Sequence, residues 1–69
     1  AARHELALRN ALRHFAAHGL RAAEDAAERA TLAHRAGDHA EMTRWIEICR
    51  TLDGRRAARL CARLARCND

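Results

Sequence analysis

Gly19, Gly37 and Gly54 interrupt a 69-residue text that otherwise holds nothing to stop a helix. Proline is absent, and the β-branched residues are limited to Ile46, Ile48 and three Thr, so the side chains that favour strands are missing. Ala, Arg and Leu, at 18, 13 and 8 residues, are among the strongest helix formers. Because glycine is the usual residue just past a helix C-terminus, the three positions predict four helices, over about 2–18, 20–36, 38–52 and 55–67. Connections of about two to four residues force successive helices to pack antiparallel. The expected fold is one all-α domain spanning 1–69, a small antiparallel helical bundle of three to four helices.

The three breaks differ in character. His18, Gly19 and Leu20 read as a stop with a cation near the last carbonyls and an apolar residue after the glycine. At Gly37 and Asp38, glycine ends one helix and aspartate caps the next, with Glu41 three residues on as in a capping box. Asp53 and Gly54 leave two readings open: Asp53 caps the last helix, or the third helix runs through Gly54 with a kink.

At about 100° per residue, Leu8, Ala11, Leu12 and Phe15 share one stripe of the first helix and are expected to face the core. Ala23, Ala26, Ala27, Ala30 and Ala33 share a stripe on the second that is nearly all methyl groups, permitting close approach. Bulk must then come from Met42, Trp45, Ile46, Cys49 and Leu52 on the third helix, and from Ala57, Leu60, Cys61 and Leu64 on the fourth. Leu6 and Leu32 fall opposite their stripes and Ile48 at an edge, so these three are expected to form a contact surface between subunits. A chain this short buries only about 60% of its unfolded surface, which makes a homo-oligomer, a dimer above all, the natural expectation.

Composition narrows the setting. No run reaches the about 18 apolar residues of a membrane span, and no apolar block behind a basic start suggests a leader, so a cytoplasmic chain without membrane contact is expected. Cys49, Cys61 and Cys67 are odd in number, and the last two stand about 240° apart on one helix, so reduced thiols are expected. Exclusive use of Arg over Lys, with abundant Ala, fits a GC-rich bacterial coding sequence.

Residues 26–54 resemble a single tetratricopeptide-type helical hairpin. The likeness rests on Ala30 and Ala33 in the first helix, the Gly37–Asp38 turn, and Met42, Ile46, Cys49 and Leu52 at that family's second-helix packing positions. Ala26 stands where the family has an aromatic, Gly54 where it has the closing proline, and no second copy follows at a 34-residue period. The resemblance implies a protein-interaction module and not an enzyme.

Charge is the sharpest asymmetry. Arg55, Arg56, Arg59, Arg63 and Arg66 lie within residues 55–66 without one acid, on a chain of net charge +4. They occupy an arc of about 100° away from Leu60 and Leu64. Such a face suits an acidic protein partner, and equally the phosphates of a nucleic acid, since guanidinium groups at this spacing follow a backbone and release counterions. No helix-turn-helix signature, aromatic stacking pair or Gly-rich loop adds to the nucleic-acid reading.

His14 and His18 stand one helical turn apart, the spacing at which two imidazoles grip one metal ion, while His34, His39 and the cysteines join them only if the fold brings them there. His18 near a helix C-terminus also has a purely helix-stabilising role, and Asp25–Arg29 and Glu41–Arg44 read as surface pairs. Catalysis finds no footing: serine is absent, no phosphate loop is present, and Cys61 or Cys67 beside Arg lacks an identifiable base. No catalytic residue and no cofactor are expected. The sequence thus favours a small non-enzymatic interaction or regulatory protein that self-associates. Its alternatives are a nucleic-acid-binding protein using the Arg face and a small metal-binding protein using His14 and His18.

Overall fold

The computed structural model describes residues 2–66, with side chains placed from residue 5 onward. Four helices form: α1 (Ala2–His18), α2 (Ala22–Arg35), α3 (His39–Leu52) and α4 (Gly54–Arg66), with a short 3-10 turn, Gly19–Arg21, joining α1 to α2. There is no strand among the described residues, and the molecule is an all-α bundle measuring 34 × 26 × 20 Å. No helix in it is long and apolar enough to cross a membrane.

Two glycines adopt the left-handed conformation that ends helices without cost to a Cβ: Gly19 at φ +64 and Gly37 at φ +75. At the second, Asp38 N–H donates to Ala33 O at 2.9 Å and Gly37 N–H to His34 O at 3.1 Å, closing the orphan carbonyls of α2. Asp38 then turns its carboxylate to the Glu41 N–H at 3.2 Å and starts α3. Its own N–H is already taken by Ala33, so Glu41 does not complete a capping box and instead accepts from Trp45 Nε1 at 3.0 Å. At the third break the first reading holds. Asp53 is extended, accepts from the Arg56 N–H at 3.2 Å and caps α4, while Gly54 is simply its first residue.

The α2–α3 hairpin is the centre of the molecule. Ala26, Ala27 and Ala30 of α2 are buried, and Ala23 and Ala33 beside them are half-buried, as the methyl stripe predicts. The smooth face lets α3 lie against it with Cys49 wholly buried, its Sγ 3.6 Å from Ala23 O. Met42, Trp45, Ile46 and Leu52 pack half-buried around this core, and Ala57, Leu60 and Leu64 of α4 close it from one side. Helix α1 packs on α2 and α3 and, among the described residues, not on α4.

Two expectations about the core need correction. Ile48 is not part of a contact surface: it is 2% exposed, among the largest fully buried side chains, because α1 lies over the α3 edge where it sits. The expected core stripe of α1 is turned outward. Of it, Ala11 alone is buried, together with His14, while Leu8, Leu12 and Phe15 remain about half exposed. The physical reason is that α3 offers α1 a thin seam, which Ala11 fills closely, and α2 offers it a carboxylate, Asp25, that faces His14.

Candidate functional site

Three features of the surface follow from this packing. The first is the polar seam between α1 and the hairpin. His14 and His18 are on one face of α1, with ring centroids 4.3 Å apart, and the left-handed Gly19 turn brings Asp25, in the first turn of α2, opposite them. His14 Nε2 lies 2.8 Å and His18 Nε2 3.8 Å from Asp25 Oδ2, and the Arg29 Nε–H donates to the same oxygen at 2.6 Å. Trp45 meets the His14 ring edge-on at 5.0 Å, and the guanidinium groups of Arg29 and Arg44 stand over the indole at 5.1 and 5.3 Å.

The electrostatics of this seam are set by burial and by Arg29. His14 is only 9% exposed, and that burial, reinforced by the neighbouring His18, lowers its pKa below the ordinary value in spite of Asp25. The hydrogen bond from Arg29 holds the Asp25 carboxyl below its usual range against the opposing effect of desolvation. Asp25 Oδ2 faces His14 Nε2 at 2.8 Å, but the contact falls short of a well-aligned hydrogen bond, and the same oxygen already accepts from Arg29.

The second feature is apolar. Leu8, Leu12 and Phe15 form a stripe along α1 within about 60° of arc, and Leu12 is 60% exposed. Of the residues expected at a contact surface, Leu6 and Leu32 are both exposed, but on different parts of the molecule. Leu6 borders a groove between α1 and α3, and Leu32 borders one between α2 and α4. Leu20, in the 3-10 turn, is the most exposed large apolar side chain among the described residues, at 94%.

The third is basic. Arg55, Arg59, Arg63 and Arg66 are exposed on one face of α4, and among the described residues none lies in an ion pair. Arg56 is drawn back, with its Nε 3.8 Å from Asp53 Oδ2. Arg56 and Arg63 line one wall of an open groove of about 800 Å³ whose other wall carries Glu24 and Glu28 of α2, with Leu32 and Leu64 between.

Sequence reasoning missed Asp25 as a member of the first group, because the Arg29 partner one turn away fully accounts for an acid on a helix surface. The available signal was the Gly19 turn: reversing the chain there returns the start of α2 to the end of α1, where the two histidines sit. His34, His39 and Cys61 do not join them; they line a separate open concavity of about 330 Å³ with Met42 and Ile46. Burial raises the pKa of the Cys49 thiol, making it an inert core group. Cys67, the other candidate thiol, lies outside the described residues. Compared with known proteins, the chain matches no family model, no curated protein and no solved structure.

Proposed function

We propose that this protein is a small non-enzymatic interaction module that pairs with a second copy of itself through the outward stripe of α1. The observation that carries this reading is the exposure of Leu8, Leu12 and Phe15 on one helix face. No charged residue interrupts the stripe between Leu8 and Phe15 on that face; Glu5 and Arg9 flank it, so the patch is compatible with its own image across a two-fold axis. Covering the exposed halves of these three side chains in both copies contributes on the order of 6 kcal/mol, from which the cost of association is then subtracted. The tetratricopeptide-like residues of 26–54 point the same way. Leu6 and Leu32 lie outside the stripe and mark grooves available to other partners.

Light scattering behind size exclusion tests the reading at low and high salt. A concentration-dependent dimer insensitive to salt is the expected result, since burial of apolar surface is not screened. A monomer under every condition would remove the proposal.

A second reading rests on its own observation, the uncompensated face of Arg55, Arg59, Arg63 and Arg66. It makes α4 a contact surface for a nucleic-acid backbone, with Arg56 at its margin. Affinity for a short duplex would then fall steeply with salt and collapse in Arg59→Glu, Arg63→Glu. Binding that ignores salt and survives that charge reversal would exclude it, leaving the Arg face to orient an acidic protein partner.

A further inference from the structure

We propose that His14, His18 and Asp25 bind one divalent metal ion of the zinc class, clamping α1 to α2. The donor set is two imidazole nitrogens and one carboxylate oxygen, and all three donors lie within 4.8 Å of one another. A tetrahedral zinc ion with bonds near 2.0–2.1 Å holds its donors about 3.3–3.4 Å apart. The distances from Asp25 Oδ2, 2.8 Å to His14 and 3.8 Å to His18, bracket that value, and no pair of donors is more than 4.8 Å apart, so side-chain adjustments on the order of 1 Å would close the site on an ion. Two histidines one turn apart on a helix, completed by an acid from a neighbouring element and leaving a fourth position open, is a zinc-type arrangement.

A second observation points to a ligand. His14 is nine-tenths buried, and its Nε2 points into the cluster 2.8 Å from Asp25 Oδ2 without a well-aligned hydrogen bond to it. A metal bond would give this buried nitrogen a full-strength partner. Nitrogen and carboxylate donors select zinc, cobalt or nickel over calcium and magnesium, which take oxygen alone. Arg29 occupies Asp25 Oδ2, but a carboxylate has about four acceptor positions, so it accepts from Arg29 and binds metal together. Arg29 is then an outer partner that orients the carboxylate, at the expense of placing a positive charge nearby. Unlike the pairing of copies through the α1 stripe, this site lies wholly within one chain, so neither proposal depends on the other.

The test is titration of the full chain, kept reduced, with Zn²⁺ by calorimetry and with Co²⁺ by visible absorption. One ion per chain, a rise in melting temperature and the visible bands of four-coordinate cobalt are expected. His18→Ala, at an exposed position, and the near-isosteric Asp25→Asn should each weaken binding at least about tenfold. His14→Ala removes a buried group and is read only alongside its helicity, so the other two variants carry the result. Controls His34→Ala, His39→Ala, Cys61→Ser and Cys67→Ser should bind as the parent does. No binding at about a hundredfold excess of zinc, or binding lost in those controls while His18→Ala and Asp25→Asn retain it, would overturn the proposal.

Discussion

Helices α1 and α4 flank the same hairpin and are both amphipathic, yet they use their faces in opposite ways. Helix α4 turns Leu60 and Leu64 inward and its arginines outward, as the hydrophobic effect alone prescribes. Helix α1 turns Ala11 and His14 inward and leaves Leu8, Leu12 and Phe15 in contact with solvent. The difference lies in what the hairpin offers each. Beside α4 it presents an apolar surface built from the alanines of α2 and from Ile48 and Cys49 of α3, against which the leucines pack. Beside α1 it presents Asp25, Arg29 and the edge of Trp45, a polar surface that a histidine suits and a leucine does not. An amphipathic period therefore marks a face as apolar without saying whether the chain itself or another molecule covers it.

The largest effect should come from the core beneath α4. Leu60→Ala is expected to cost about 2–5 kcal/mol, against a total of roughly 3–10 kcal/mol for a chain of this length, and to leave much of the protein unfolded in a denaturant titration. In dilute solution Leu12→Ala should change stability by less than about 0.5 kcal/mol. Equal losses from the two substitutions would break the contrast between the helices. Next in size, Leu12→Asp combined with Phe15→Asp should weaken self-association by at least about thirtyfold, roughly 2 kcal/mol, with the helical circular dichroism of the monomer retained.

Asp38→Ala acts on the hairpin that both helices share. Loss of its cap to Glu41 should lower stability by about 1 kcal/mol, measured by thermal melting, and loosen α1 and α4 alike. The smallest effect separates them again. The folded-state pKa of His14 is depressed, so its contribution to stability is present above the model-peptide value of 6.5 and is lost as pH falls below it toward the folded pKa. Asp25, also depressed, adds a second loss below 3.8. Amide exchange between pH 7 and pH 5.5 should therefore quicken in α1 beyond the intrinsic pH trend, relative to α4. A relative change confined to α4, or none in α1, would show that His14 does not govern the seam.

Much of the fold is legible in the sequence because the signals are local. Gly19 and Gly37 need a left-handed backbone, Asp38 and Asp53 need only the next turn to cap, and the alanine stripe of α2 announces a smooth packing face. The Arg face of α4 is equally plain, since five cations without an acid cannot turn inward. The orientation of α1 is not local. It depends on a rotation about the helix axis that Ala11, His14 and the residues opposite them decide together, and that rotation carries Ile48 from an edge into the core. Asp25 was hidden for the same reason: its partner Arg29 lies one turn away in sequence, whereas His14 is met only once the chain has reversed at Gly19.

On the proposed reading, a second copy covers the outward stripe of α1. A mixed sample of isotope-labelled and unlabelled chains, at millimolar concentration, allows nuclear Overhauser contacts between copies to be read separately from those within one. Contacts across copies among the Leu8 and Leu12 methyl groups and the Phe15 ring are the predicted result. A sample that remains monomeric, or copies that meet through α4 with the α1 stripe still open to water, would contradict it.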